Sequence, residues 1–170
     1  MGKYDKHMNY FHIDLDYNIN ELKKVVSHGP WKIFDQGGYK FPCVQEMRLE
    51  YGYNYINDLS FLKNVPFDFK PNHVMFTKIL PRVGPFVHRD FNRKCALTIP
   101  ISNCEPINFY NDKQELEELV TYSKPTVINL EHLHAVKNST DEERIIFQIS
   151  LYQPIQKLKN VYDKISTILA

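Results

Sequence analysis

The sequence predicts a mainly β fold, an all-β sandwich or jelly roll with a few flanking helices. Three observations carry this. From residue 72 onward, short apolar runs recur at close, regular spacing with Pro, Gly and Asn between them. Their lengths suit strands rather than helices. Only one long stretch, after Pro154, has helical apolar spacing.

The first strand of that region is His73 to Leu80, stopped by Pro81. Lys94 to Ile101 is the second, and Pro106 to Tyr110 a short third. Leu119 to Tyr122 is a candidate fourth, with Gln114 to Glu118 compatible with a helix. Thr126 to Leu130 follows, then Leu133 to Lys137. Arg144 to Tyr152 is the last and the most apolar. In Ile155 to Leu169, apolar residues at 155, 158, 161, 162, 165, 168 and 169 give a helix with one apolar face, expected to pack on the back of its own sheet.

The first 70 residues read as a covering segment. Tyr10 to Leu15 is a possible edge strand. Asn18 or Asn20 can cap a short helix through Glu21 to Val26, ended by Gly29-Pro30. Gly37-Gly38 marks a turn. Glu46 to Tyr53 suits a half-buried strand or an aromatic loop. Asn57 or Asp58 can cap a second helix over Leu59 to Lys63, closed by Pro66. The expected organisation is one domain: residues 1–70 covering, 72–153 the β core, 155–169 the final helix.

Composition narrows the function classes. The chain has 170 residues, 43% hydrophobic and 14% aromatic, enough for a substantial core. A net charge of +1 gives no global pull towards nucleic acid or an anionic membrane, so neither is an expected partner. Cys43, Cys95 and Cys104 are odd in number and lack zinc-type spacing; free thiols in a reducing cytoplasm are expected. No apolar run approaches the roughly 20 residues that span a bilayer.

The chemistry concentrates at His88-x-Asp90, just past an apolar run. Alternate strand residues share a face, so both side chains can reach one metal. An imidazole and a carboxylate are two parts of the two-His-one-carboxylate triad that holds non-haem Fe(II) with positions left open. His132 and His134 are both candidates for the third ligand, and spacing alone does not choose between them. After His134, an Asn-Ser-Thr-Asp turn leads to Arg144, ten residues on, at the start of the last strand. If these strands are antiparallel neighbours, Arg144 returns beside the metal. Its guanidinium fork suits a carboxylate, as a chelating 2-oxo acid would require.

Taken together, His88-x-Asp90, His134 and Arg144 resemble the Fe(II)/2-oxoglutarate-dependent oxygenases. They are most similar to the aspartyl/asparaginyl β-hydroxylase group, including its small proline-hydroxylase-type members. The run His134-x-Val136-x-Asn138-x-Thr140-Asp141-Glu142-x-Arg144 carries that likeness, with Thr77 on the preceding strand. The likeness spans about residues 72 to 153. It implies a double-stranded β-helix (cupin-like jelly roll) with His88, Asp90 and His134 as metal ligands. It also implies Fe(II), 2-oxoglutarate and O2, with Arg144 and Thr77 on the distal carboxylate. Asp90 gives the full triad, which some members of the group lack. His132 would then orient a neighbouring ligand. Ser150 shares a face with Arg144 and could assist the cosubstrate. Arg89, Arg93 and Tyr110 are the candidate substrate contacts. The implied activity is hydroxylation of an unactivated C–H of an amino acid, free or as an Asp, Asn or Pro residue of a protein. The alternatives are a non-catalytic cupin-like binding module and, further off, a nucleobase dioxygenase. The last resembles a pattern with a second Arg six residues after the first, and here that position is Ser150.

Overall fold

The computed structural model describes residues 7–36, 39–48, 55–103 and 105–169. The elements in chain order are β1 (Tyr10–His12), α1 (Ile19–Ser27), β2 (Lys32–Gln36), β3 (Tyr39–Arg48), β4 (Val74–Ile79), β5 (Cys95–Ser102), β6 (Ile107–Tyr110), β7 (Leu116–Val120), β8 (Thr126–Asn129), β9 (Leu133–Val136), β10 (Arg144–Leu151) and α2 (Ile155–Leu169). Short 3-10 turns lie between β3 and β4. The strands form a seven-stranded sheet, ordered β1-β8-β5-β10-β4-β3-β2, and a three-stranded sheet, ordered β7-β6-β9. Every ladder among the described residues is antiparallel.

The large sheet has two unlike faces, set by residue alternation on its central strands. On β10, Phe147, Ile149 and Leu151 share one face, where Phe76 and Val74 of β4 and Leu97 and Ile99 of β5 join them. Leu22 and Val25 of α1, Phe61 and Leu62 of the 3-10 turns, and Ile155 and Leu158 of α2 cover this face in one core. Each such buried side chain contributes about 1.5–3 kcal/mol. Half of the opposite face packs on the small sheet, through Ala96 and Ile128 against Ile107, Phe109, Val120 and Tyr122. The other half carries Glu46, Thr77, Arg144, Gln148 and Ser150 in register across β3, β4 and β10. Polar side chains are costly to bury unless they are hydrogen-bonded or paired, so this half stands apart from the two apolar cores.

The β core and its flanking helices match the fold class read from sequence, with local differences. The helix expected over Leu59 to Lys63 is a 3-10 turn, Ser60–Asn64. Five residues return too few α-helical bonds for the cost of nucleation. β7 begins three residues before the expected strand and ends before Tyr122. It is an edge strand, with Leu116 and Leu119 more than half exposed, so its apolar pattern misleads. The helix considered for 114–118 is absent. Asn111 instead accepts hydrogen bonds from the amides of Lys113 and Glu115, turning the chain into β7. β1 is shorter than expected, although Ile13 adds one further bond to the Pro125 carbonyl. Asn18, not Asn20, caps α1. β2 and β3 do more than cover the core: they extend the large sheet by two strands. β3 realises the first part of the strand read over 46–53, and residues 49–54 lie outside the described residues, as do the Gly37-Gly38 turn and Cys104. Only the first half of α2 packs on the core, through Ile155, Leu158 and Tyr162, while Ile168 and Leu169 are exposed. Among the described residues, no helix is long and apolar enough to cross a membrane.

Candidate metal centre

The loop after β4 approaches β9 closely at Gly84. A Cβ there would run into the Val136 carbonyl oxygen and lie 2.8 Å from the Lys137 Cα, so the contact is backbone against backbone. The Asn138 amide donates to the Val83 carbonyl, and four residues further on His88 and His134 form an antiparallel bridge. The loop thus runs along the outer edge of β9 and pairs with it at one isolated bridge. Asp90 closes the pairing by donating its amide to the Leu130 carbonyl at 3.0 Å.

This places three ligand atoms, from His88, Asp90 and His134, within 4.8 Å of one another. His88 Nε2 lies 3.4 Å and His134 Nε2 3.9 Å from Asp90 Oδ1. Neighbouring ligands of an octahedral ion with ~2.1 Å bonds lie about 3 Å apart, so small rotations bring all three onto one ion. Both imidazoles are oriented for this. His88 Nδ1 donates to the Phe86 carbonyl at 2.6 Å and His134 Nδ1 to the His132 carbonyl at 2.8 Å. A carbonyl only accepts, so Nδ1 carries a hydrogen on both rings and Nε2 is the atom each turns towards Asp90, where a metal would replace any proton. His132 acts through its main chain. Its ring turns away, towards Asn9 and Glu117.

The electrostatics suit a cation. Burial alone would raise the Asp90 pKa, but the hydrogen bond from His88 and the charge and hydrogen bond of Arg93 outweigh it and hold the carboxyl well below the usual range. Asp90 is therefore an anion. Burial pushes His134 down to about 4, so it is neutral at physiological pH. The hydrogen bond with Asp90 raises His88.

Arg144 stands at the start of β10, only 1% exposed. Its Nη2 donates to the Tyr122 hydroxyl at 3.3 Å, while Nε and Nη1 have no hydrogen-bond partner among the described residues. A guanidinium buried with one neutral partner is costly. The unpartnered Nε–H and Nη1–H are charged donors left free for an anion such as a carboxylate. The donor set of two imidazoles and one carboxylate fits Fe(II), and the orphaned Arg144 fits the far carboxylate of a 2-oxo diacid. Tyr122 was not foreseen. It lies beyond β7 and reaches Arg144 across the two sheets, with no local sequence pattern to mark it. Glu46 and Arg48 were also unforeseen; they pair at 2.7 Å on the same face, opposite Thr77 and Met75.

The remaining candidates fall in different places. Thr77 shares the face of Arg144, one row along the sheet. Ser150 shares it too, but six residues along β10, or about 20 Å at ~3.3 Å per residue. One dicarboxylate on Arg144 does not reach it. Arg93 donates to Asp90 Oδ2, Gln148 and Ser150. Arg89 pairs with Asp112 near the surface. Tyr110 alternates with Phe109, which packs beside His134, and so points to the outer side of the small sheet. Arg82, grouped with Arg89 and Arg93 in sequence, is tied to Asp141.

No protein-family model matches this chain, and no curated protein matches it. Solved structures do. One is an oxidoreductase of the 2OG-Fe(II) oxygenase family from Burkholderia pseudomallei, with TM-score 0.50 and 10% identity over 78% of this chain and 78% of that one. Another is the non-heme alpha-ketoglutarate-dependent epimerase SnoN from nogalamycin biosynthesis, with TM-score 0.55 and 13% identity over 82% of this chain and 76% of that one. At these identities the likeness is one of fold. The chain has the double-stranded β-helix core expected from its sequence, and on it the His88-Asp90-His134 group could hold a metal.

Proposed function

We propose that the protein is an Fe(II)- and 2-oxoglutarate-dependent dioxygenase that hydroxylates an unactivated C–H of an amino acid. The observation that carries this is the pairing of an iron-type donor triad with a buried, under-satisfied Arg144 on one sheet face. Bound Fe(II) with 2-oxoglutarate and O2 supplies an oxidant for C–H hydroxylation, the oxo acid leaving as succinate and CO2. His88, Asp90 and His134 hold the metal by one face and leave positions open. Arg144, oriented by Tyr122, pairs with the distal carboxylate, and Thr77 lines the same wall. The motif resemblance from His88 to Arg144 supports a reading nearest the aspartyl/asparaginyl β-hydroxylase group, with a site like its full-triad members. A reducing compartment such as the cytoplasm suits Fe(II) and the unpaired Cys43 and Cys95.

One observation favours a peptidyl substrate over a free amino acid. Phe86 and Phe91, 82% and 91% exposed, flank the two ligands His88 and Asp90 at the rim. Exposed aromatics beside a site are suited to a chain lying across it.

The test is succinate release with Fe(II), 2-oxoglutarate and a library of free amino acids and peptides. Wild type is expected to turn over, and His88→Ala and His134→Ala to be inactive. Retained turnover in both variants would refute the assignment. No 2-oxoglutarate consumption across the library, with metal binding intact, would favour the non-catalytic binding module.

A further inference from the structure

We infer that Arg93 is a positioning residue that fixes Asp90 so that a single carboxylate oxygen faces the metal. The inference rests on the proposed metal centre and goes beyond it, because nothing in the triad itself dictates how Asp90 binds.

Asp90 and Arg93 lie three residues apart on a loop pinned at both ends to Leu130. The Asp90 amide donates to the Leu130 carbonyl and the Leu130 amide donates to the Lys94 carbonyl. The loop is too short to swing, so the two side chains are held together. Arg93 Nε donates to Asp90 Oδ2 at 2.6 Å. On its far side, Arg93 Nη1 donates to Gln148 Oε1 at 3.0 Å and to Ser150 Oγ at 3.3 Å. Gln148 and Ser150 are 9% and 3% exposed and sit on β10, a central strand of the large sheet. A planar guanidinium bonded on two sides has one orientation. The charge pair is therefore anchored to the rigid sheet rather than to the loop.

The consequence is a division of labour between the two carboxylate oxygens. Oδ2 is engaged by Arg93. Oδ1 is the oxygen that faces His88 Nε2 and His134 Nε2. A carboxylate whose second oxygen is held this way binds a metal through one atom. Asp90 held this way would take a single position on a bound ion and leave the others to the oxo acid and O2 that the proposed chemistry requires. Gln148 and Ser150 thus serve the metal indirectly, through Arg93.

The alternative is a salt bridge that only ties the loop to β10. The two differ in what Arg93→Met changes. Co(II), added alone to the chelator-treated protein, reports affinity by calorimetry and coordination number by its visible absorption. Groups that orient a metal ligand typically alter affinity 10–100-fold on mutation. Arg93→Met is expected to weaken Co(II) binding by about that factor and to change the Co(II) spectrum. Arg93→Lys, which keeps a charge beside Asp90 but not the fork, is expected to recover part of the affinity. Should Arg93→Met fail to fold, the double variant Gln148→Leu, Ser150→Ala frees the far side of Arg93. It is expected to show the same spectral change with a smaller loss of affinity. Wild-type affinity and spectrum in these variants, with His88→Ala unable to bind Co(II), would overturn the role of Arg93 while leaving the metal centre intact. Equal Co(II) binding by wild type and His88→Ala would overturn the centre, and the role of Arg93 with it.

Discussion

His88 and His134 face each other across a single antiparallel bridge. Each amide donates to the other's carbonyl, at 3.0 and 2.9 Å, and the ring centroids lie 4.5 Å apart. In such a pair both side chains leave on the same side of the ladder. Two imidazoles from residues 46 apart in sequence are thus brought together by the main chain alone.

That bridge depends on Gly84. Gly84→Ala puts a methyl group into the backbone of β9, which cannot yield as a flexible side chain would. The loop must back away and draw His88 from His134. A destabilisation of roughly 1–3 kcal/mol is expected. Co(II) affinity should fall as well, although no ligand is altered. Urea unfolding and calorimetry on the same sample check both, and wild-type metal affinity would show that the loop tolerates the shift.

Asn138 is expected to matter for the fold rather than the chemistry. It is fully buried. Its amide group donates to the Ile79, Leu80 and Glu142 carbonyls, and its Oδ1 accepts from Asn103 and from the amide and hydroxyl of Thr140. These bonds shape the turn that aims Arg144 along β10. Asn138→Ala leaves several buried groups unpaired and should cost about 3 kcal/mol. For a chain of this length that lowers Tm by roughly 10 °C. A thermal melt showing less than about 2 °C of change would contradict this account.

What could be read in advance tracks how strongly each residue's role is written in its neighbours. β5 and β10 were legible because burial on both faces makes each a near-continuous apolar run. The strands of His134 and Arg144 are not the antiparallel neighbours expected: β9 and β10 lie in different sheets, and the chain crosses between them. The grouping of His88 and Asp90 was legible because His-x-Asp is local. β7 was not, since an edge strand with exposed Leu116 and Leu119 has no buried face to impose a pattern. Tyr122 meets Arg144 only through the packing of two sheets, so its neighbours in sequence say nothing about it. Arg93 did carry a local signal, its spacing of three from Asp90. Its other partners, Gln148 and Ser150, lie 55 and 57 residues away. A charged residue near a pocket mouth reads as a substrate contact until that register is known.

The burial of His134 makes the metal-free protein acid-labile. Its pKa is about 4 in the fold and 6.5 unfolded. Between these values the unfolded chain takes up a proton that the folded imidazole refuses, so stability falls as pH drops from 6.5 towards 4. For this group alone the loss between pH 7 and pH 5 is about 2 kcal/mol. His88 works the other way: its raised pKa contributes stability below 6.5 that is lost as pH rises through the folded value. Urea midpoints of chelator-treated protein at pH 7 and pH 5 give the net effect, and His134→Gln isolates the first part. That variant should lose less stability on acidification than wild type. An equal loss would assign the lability to other groups.

Arg144 should cost the empty protein more than it contributes. Its guanidinium is buried with Tyr122 as its one hydrogen-bond partner among the described residues. Replacing such a charge by an apolar side chain of similar volume is often neutral or stabilising. Arg144→Met is therefore expected to hold or raise the Tm of the ligand-free protein. Ligand response should move in the opposite direction. With Co(II) present, 2-oxoglutarate at 100 times its Kd stabilises wild type by about 2.7 kcal/mol. Arg144→Met should lose most of that gain, and succinate, which shares the distal carboxylate, should likewise stop protecting. Tyr122→Phe removes the hydroxyl that orients Arg144 but keeps the charge, so an intermediate response is expected. The two Tm series, without and with 2-oxoglutarate, separate a guanidinium kept for a ligand from one kept for the fold. If Arg144→Met lowers the ligand-free Tm by several degrees and still responds fully to 2-oxoglutarate, the arginine serves the fold and the cosubstrate is held elsewhere.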